Sequence, residues 1–197
     1  MSLAHYFTLC RIILIPFFPI LYFEHAYFGI SSTLLPYVLI CILAVCEFTD
    51  LFDGFIARKK NQVTDLGKVL DPMADSIMRI TVFFTFTKGI IDLPILLVFV
   101  LIYREFFIST LRTLCAMKGL VLAARTSGKI KAILQAVAAF SVLFLMIPYH
   151  QSWITLDQLQ TASFYIIFVT ALYTVLSASE YIYANRTLIK KAISLDT

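Results

Sequence analysis

The chain has 197 residues, of which 60% are hydrophobic and only 14% are charged, and its mean hydropathy is +0.89. Because soluble domains carry about 25% charged residues, this composition excludes an ordinary soluble protein and predicts an integral membrane protein. The formal net charge of +4 is modest. The basic residues adjoin apolar segments, which indicates contact with anionic lipid head groups rather than with nucleic acid.

Six apolar segments follow one another along the chain, and each is long enough to cross a bilayer as a helix of about 20 residues. Their predicted bounds are 7–28, 34–57, 66–88, 93–117, 130–149 and 161–184. The first is interpreted as a retained helix rather than a signal peptide, because no small-residue cleavage site precedes the spans. The sequence therefore predicts an all-α integral membrane protein with six transmembrane helices and a single membrane domain over 1–197.

The first segment differs from the others because it contains Arg11, Pro16, Pro19 and Glu24. A long cationic side chain can reach the membrane surface, so Arg11 is expected to extend to the cytoplasmic side. The two prolines are expected to kink the helix. A surface segment ahead of the true first span is an open alternative.

The positive charges are concentrated on alternate connections and on the C-terminal tail. The clusters are Arg58, Lys59, Lys60 and Lys68, then Arg112, Lys118, Arg125, Lys129 and Lys131, and finally Arg186, Lys190 and Lys191. The positive-inside rule places these connections, and with them both termini, in the cytoplasm. The expected location is the inner (cytoplasmic) membrane of the cell, with several spans.

Four aspartates, Asp50, Asp53, Asp71 and Asp75, lie in or at the ends of two apolar segments. A carboxylate inside the membrane costs about 2.5–3.5 kcal/mol, and such residues are usually functional. On a helix the first two are about 60° apart and the last two about 40° apart, so each pair lies on one face. Hard oxygen ligands suit Mg²⁺ or Mn²⁺. The pattern predicts a cytoplasmic-side site for two such ions, which could polarise a diphosphate.

Small residues and one arginine accompany the aspartates. Gly54, Ala57 and Gly67 would allow a ligand to approach the backbone, and Arg58 could bind a phosphate through its planar fork. Helix packing is the alternative for the small residues. For Arg58 the alternative is a topology anchor.

These spacings resemble the signature of the CDP-alcohol phosphatidyltransferase family, D-x2-D-G-x2-A-R-x8-G-x3-D-x3-D. The chain matches all eight fixed positions without a gap, over 26 residues from Asp50 to Asp75. The resemblance implies a six-helix membrane fold, usually a homodimer, with a site open to the cytoplasm. It also implies a reaction in which an acceptor hydroxyl attacks the β-phosphorus of a CDP-linked lipid and CMP departs.

The resemblance further implies roles for the matched residues. Asp50 and Asp71 would bridge two metal ions, and Asp53 would hold one of them. Asp75 would contact the second ion and serve as the general base. The CDP-lipid would be bound by Gly54, Ala57, Arg58 and Gly67, together with Thr64, which lies outside the signature.

Basic residues in the second half of the chain indicate the acceptor. Arg104 and Arg112, in REFFISTLR, are eight residues apart and share roughly one helical face. Lys129 and Lys131 begin the GKIKAILQ run. These groups could bind the phosphate of an anionic acceptor such as a sugar or glycerol phosphate. Alternatively, Glu105 or a site aspartate neutralises Arg104, and the lysines are orientation signals.

REFFISTLR, GKIKAILQ and the opening TLCRIILIPFF resemble family members whose acceptor is sn-glycerol 3-phosphate. The chain departs from them in its MSLAHYF start and in Ala132, where threonine is frequent; Thr8 and Arg11 match the opening motif without an assigned role. The resemblance implies transfer of a phosphatidyl group from CDP-diacylglycerol to sn-glycerol 3-phosphate, giving phosphatidylglycerol phosphate and CMP. Inositol phosphate or serine as acceptor remains an alternative, and so does a carboxylate-lined divalent-cation transporter.

Overall fold

The computed structural model describes residues 3–59, 65–120, 122 and 125–194, and side chains within them except at 3–7, 51–59, 65–72 and 193–194. The described residues form eight helices and no strand, which confirms the predicted all-α class. In chain order they are α1 (Leu3–Leu14), α2 (Phe17–Glu24), α3 (Leu35–Lys59), α4 (Asp65–Thr85), α5 (Ile95–Met117), α6 (Thr126–His150), α7 (Leu156–Ala184) and α8 (Arg186–Ser194).

Two of these helices, α6 and α7, are long and apolar enough to cross a membrane, as judged over the residues that the structure describes. The helix α5 is nearly as long, but it carries Arg104, Glu105 and Arg112. These charges lower its apolar character, and all three face a polar cavity described below. The total of six spans stays a prediction.

The first predicted span, 7–28, is wrong as one continuous helix, because a turn at Ile15 and Pro16 separates α1 from α2. Pro16 has no N–H to donate to the carbonyl of Ile12, and its ring clashes with the preceding turn. Pro19 falls in the first turn of α2, where proline is tolerated. The break allows α1 to pack against α3 and α4.

The C-terminal part of the chain differs from the prediction in where α7 begins and in having one additional helix. The helix α7 begins at Leu156, ahead of the predicted 161, because Thr155 and Gln158 form a capping box. The Thr155 hydroxyl accepts a hydrogen bond from the Gln158 N–H at 3.3 Å, and the Gln158 Oε1 accepts one from the Thr155 N–H at 2.9 Å. The C-terminal tail contains a further helix, α8, which sequence analysis did not predict.

The hydrophobic core lies between α2, α3, α4, α6 and α7. Its most buried side chains include Phe18, Leu39, Leu43, Met78, Val82, Val142, Met146 and Ile167. The helix α6 packs along α7 and against α3, and α5 packs against α4 and α7. This packing brings charged residues of α4, α5, α6 and α7 together at one end of the bundle.

Candidate active site

Asp50 of α3 and Asp75 of α4 converge on Arg11 of α1. The Arg11 Nη1 lies 2.9 Å from Asp50 Oδ1 and 3.9 Å from Asp75 Oδ1. Arg11 is only 2% exposed, so the expectation that it extends to the membrane surface is wrong. The two carboxylates offset the desolvation of the buried guanidinium, which explains why it stays inside. Thr8, one turn earlier on α1, is also buried.

The remaining signature residues lie outside the described side chains. Asp53, Gly54, Ala57 and Arg58 belong to the C-terminal part of α3, and Gly67 and Asp71 belong to the start of α4. Thr64 lies outside the described residues altogether. The roles predicted for these residues therefore stay predictions.

The described acidic groups fit a divalent metal in their donor chemistry. Oxygens of both Asp50 and Asp75 face the same cationic nitrogen, so these two carboxylates already share one positive charge. Hard carboxylate oxygens are the ligands that Mg²⁺ and Mn²⁺ prefer. Among the described side chains, no group of three or more His, Cys, Asp or Glu residues is placed to hold a metal. A two-ion site would thus require Asp53 and Asp71 as well.

The two oxygens of Asp75 have different surroundings. Oδ2 forms an ion pair with Arg79, one turn later on α4, at 2.9 Å. Oδ1 is buried and accepts no hydrogen bond from the residues that the structure describes. Arg79 therefore fixes Oδ2, whereas Oδ1 has Arg11 Nη1 as a more distant cationic neighbour at 3.9 Å.

A cavity of about 280 Å³ opens beside Asp75. Its lining residues are Asp75, Ser76, Arg79, Arg104, Glu105, Arg112, Arg125, Gly128, Lys129, Lys131 and Ala132. Ligand pockets usually begin at about 300 Å³, so this cavity suits a small molecule rather than a lipid. Six of the lining residues are basic and two are acidic, which favours an anionic ligand.

The four basic residues predicted for the acceptor all line this cavity: Arg104, Arg112, Lys129 and Lys131. They come from α5 and α6, and the same cavity also contains Asp75 of the signature. The structure thus brings the predicted acceptor residues next to the predicted general base. Phosphate binding by these four residues stays a prediction.

Glu105 occupies the centre of one buried ion-pair group in the cavity wall. Its Oε1 pairs with Lys131 and, at 3.4 Å, with Arg104. The side chains of Glu105, Lys131 and Arg104 are 17%, 6% and 9% exposed. Neutralisation of Arg104 by Glu105, which the sequence left as an alternative, is thus present in the structure. Two cations share one carboxylate, so this group retains one positive charge.

Arg112 and Arg125 are held differently. The Arg112 Nε donates a hydrogen bond to the Tyr181 hydroxyl at 3.2 Å, and its guanidinium lies 5.2 Å from the centre of the Tyr181 ring. Arg125 pairs with Glu180 at 3.1 Å, and these two side chains are 42% and 47% exposed. Both arginines are thus anchored to the end of α7.

Sequence analysis missed Arg79, Gln135 and Tyr181 as site residues. Arg79 contacts Asp75, lines the cavity and donates a hydrogen bond to Gln135 Oε1 at 3.5 Å. A signal for Arg79 was present, because a charged residue within a predicted span is functional by default. Tyr181 carried no such signal, since tyrosine is common at membrane interfaces for structural reasons.

The match to a family model decides the family. The model for CDP-alcohol phosphatidyltransferases matches residues 1–182. The chain belongs to the CDP-alcohol phosphatidyltransferase family. Family membership makes it a membrane-associated transferase of phospholipid biosynthesis, and it favours an enzyme over the alternative of a cation transporter.

Curated relatives match this family member over most of its length, and they carry the name CDP-diacylglycerol–glycerol-3-phosphate 3-phosphatidyltransferase. The Bacillus subtilis protein is 32% identical over 191 residues, covering 93% of this chain and 95% of the relative. The Escherichia coli K12 protein is 32% identical over 185 residues, covering 91% and 92%. The Wigglesworthia glossinidia brevipalpis protein is 38% identical over 143 residues, covering 70% and 74%.

Proposed function

We propose that this phosphatidyltransferase moves the phosphatidyl group from CDP-diacylglycerol to sn-glycerol 3-phosphate, giving phosphatidylglycerol phosphate and CMP. The names of its relatives support this acceptor. The observation that carries the proposal is the cavity, because one wall contains Asp75 and the others are rich in arginine and lysine. An acceptor with a hydroxyl at one end and a phosphate at the other matches both walls.

The charge of the cavity discriminates between acceptors. Arginine binds phosphate through charge-assisted hydrogen bonds from its planar fork, and lysine contributes a point charge. A phosphorylated alcohol would therefore neutralise the excess positive charge contributed by Arg112 and Lys129. Serine has no phosphate and would leave that charge unbalanced, so the cavity favours glycerol phosphate or inositol phosphate over serine.

Asp75 is proposed as the general base. The acceptor oxygen forms a bond to the β-phosphorus of the CDP-lipid, the bond from that phosphorus to the CMP oxygen breaks, and Asp75 Oδ1 takes the hydroxyl proton. General-base assistance of this kind contributes about 10²–10⁴-fold. Arg79 holds Oδ2, so the carboxylate keeps its orientation while Oδ1 accepts the proton.

The four signature aspartates are proposed to hold two Mg²⁺ or Mn²⁺ ions. When bound, such ions stabilise the negative charge that develops on the diphosphate and on the departing CMP. From the signature match, the CDP-lipid is proposed to contact Gly54, Ala57, Arg58, Thr64 and Gly67.

The protein is proposed to be a homodimer in the inner membrane, with six spans and with its basic connections and active site at the cytoplasmic face. The positive-inside rule supports this orientation, and the family resemblance supports the dimer. In a cysteine-free background, Asp157→Cys should react with an impermeant thiol reagent from outside, whereas Thr126→Cys should not. Labelling of Thr126→Cys from outside would reverse the orientation, and a monomeric mass in detergent would contradict the dimer.

The function is tested with purified protein, CDP-diacylglycerol and a panel of glycerol 3-phosphate, inositol phosphate, serine and glycerol. CMP release should be at least about tenfold faster with glycerol 3-phosphate than with serine or glycerol, because these two lack a phosphate for the basic walls. It should also be faster than with inositol phosphate, since the names of the relatives specify glycerol 3-phosphate. Chelation should stop the reaction, and added Mg²⁺ or Mn²⁺ should restore it. Equal or faster transfer to inositol phosphate, serine or glycerol would overturn the proposed acceptor.

The proposed contact between Arg112 and the acceptor phosphate is tested in the same assay. Arg112→Ala should raise the KM for glycerol 3-phosphate about tenfold and leave the KM for CDP-diacylglycerol unchanged. Arg186→Ala is the matched control, because Arg186 stacks on Tyr183 at 4.4 Å and does not line the cavity. Equal effects of the two variants would remove Arg112 from the acceptor site.

A further inference from the structure

The C-terminal part of α7 contains two buried polar side chains that face the cavity wall. Ser177 and Tyr181 are only 3% and 2% exposed. They are four residues apart and therefore lie on the same helical face, one turn apart. Buried polar groups are nearly always hydrogen-bonded, so their partners indicate why they are there.

Ser177 contacts an arginine of the cavity. Its Oγ donates to the Thr174 carbonyl at 2.9 Å, so its lone pairs remain to accept a hydrogen bond from Arg104 Nη2 at 3.3 Å. Arg104 is also paired with Glu105. Ser177 therefore supports an arginine whose charge is already partly neutralised.

Tyr181 holds Arg112 by two contacts of different kinds. Its hydroxyl accepts a hydrogen bond from Nε at 3.2 Å, and its ring lies under the guanidinium at 5.2 Å. The hydrogen bond uses the N–H on the inner edge of the guanidinium, and the ring contact restrains the plane. Within the described residues, Arg112 makes no other side-chain hydrogen bond, so its terminal nitrogens remain for a ligand.

The partner of Arg112 is neutral, unlike those of the other arginines in the cavity. Arg79 is paired with Asp75, Arg104 with Glu105 and Arg125 with Glu180. Each carboxylate weakens the attraction of its arginine for an anion. A hydroxyl and an aromatic ring orient Arg112 without cancelling its charge, and no described carboxylate pairs with it.

We propose that Tyr181 is a positioning residue for the acceptor phosphate. It fixes the Arg112 guanidinium at the cavity with its full positive charge, so that the phosphate of the acceptor is bound in one orientation relative to Asp75. The identity of the acceptor rests on the proposed function, whereas the anion site itself requires only a phosphate group.

Two substitutions separate the two contacts of Tyr181. Tyr181→Phe removes the hydroxyl and keeps the ring, and Tyr181→Leu removes both. We expect the KM for glycerol 3-phosphate to rise about fivefold and about 30-fold, respectively, since the hydrogen bond and the cation–π contact each contribute to orientation. The kcat and the KM for CDP-diacylglycerol should change by less than about twofold, because Tyr181 does not orient Asp75.

Tyr183 provides the matched control. It makes the same kind of ring contact, with Arg186 at 4.4 Å, but it is 67% exposed, and Arg186, unlike Arg112, does not line the cavity. Tyr183→Phe and Tyr183→Leu should leave both KM values unchanged. An equal rise in the Tyr183 variants would assign the effect to the helix end in general and overturn the proposal.

A binding measurement makes the test independent of turnover. Inorganic phosphate is titrated calorimetrically into the purified protein without CDP-diacylglycerol, and its Kd should rise in the order wild type, Tyr181→Phe, Tyr181→Leu. Transfer to unphosphorylated glycerol should stay at its low wild-type rate, whereas a folding defect would lower it too. If Tyr181→Leu does not fold, Tyr181→Phe decides the question.

The outcomes separate this inference from the proposed function. If Tyr181→Phe leaves both the glycerol 3-phosphate KM and the phosphate Kd unchanged, the inference is wrong even where the acceptor is correct. If the wild type prefers serine or glycerol while its phosphate binding still depends on Tyr181, the proposed function fails and the positioning role stands.

Discussion

The signature aspartates and the basic cavity share Asp75, but the two sets of residues are distributed differently along the chain. The signature residues lie within 26 consecutive residues on two successive helices, so their spacing alone reveals them. The cavity is lined by residues of α4, α5 and the start of α6, and the hydrogen bond from its Arg104 to Ser177 of α7 joins residues 73 positions apart. The proposed metal and nucleotide chemistry is therefore encoded locally, whereas acceptor recognition depends on tertiary packing.

The largest expected effect is at Asp75, where the two regions meet. Asp75→Asn should lower kcat about 10²–10⁴-fold, because the amide cannot take the acceptor proton. The KM for glycerol 3-phosphate should change little, since the basic cavity remains. Steady-state kinetics with both substrates measure this, and Asp157→Asn, an exposed aspartate at the start of α7, is the control. Normal turnover at saturating substrates would show that Asp75 is not the base.

The second prediction concerns the buried ion-pair group of the cavity. Glu105→Gln removes the one carboxylate shared by Arg104 and Lys131, leaving two buried cations uncompensated. We expect the free energy of unfolding in detergent to fall by about 3–5 kcal/mol. Denaturant titration measures it.

Glu180→Gln is the matched control for this prediction. It breaks the Arg125 pair, whose side chains are 42% and 47% exposed, and surface pairs contribute about 0–1 kcal/mol. Equal losses in the two variants would show that burial does not distinguish the pairs.

The smallest of the three effects is expected at Arg79, which contacts Asp75 and also lines the cavity. Arg79→Gln should lower kcat about 20-fold, because Oδ2 of Asp75 loses its charged partner. Arg79→Lys should recover most of that loss, since it restores the charge without the fork. If the lysine variant is no better than glutamine, charge at this position is not what orients Asp75.

The local sequence pattern was sufficient to predict the all-helical class and most of the individual helices. Hydrophobic segment length predicted α3, α4, α5, α6 and most of α7, because apolar stretches of that length have few other solutions in a bilayer. Segment length predicted the wrong helix bounds where a single residue ends or begins a helix. Pro16 ends α1 rather than kinking a long helix, and Thr155 caps α7 earlier than hydropathy indicated.

Residues whose roles depend on distant partners were harder to predict. Arg11 and Asp50 are 39 positions apart, and nothing in the local sequence shows that α1 packs against α3. Arg11 was therefore expected at the surface, where a lone cation in a membrane segment is least costly. Tyr181 was overlooked for the same reason, because only the packing of α5 against α7 brings Arg112 onto its ring.

The shared carboxylate of Glu105 has a consequence for how this protein can diverge. Substitution of Glu105 leaves two cations without their carboxylate partner, and substitution of either cation lowers the charge of the buried group by one unit. Because such neighbours are energetically coupled, their single substitutions are expected to be non-additive. Arg104, Glu105 and Lys131 should therefore change together or not at all among descendants of this chain, whereas the exposed Arg125 and Glu180 are free to drift one at a time. A library randomised at the three buried positions should recover active clones mainly as compensated combinations.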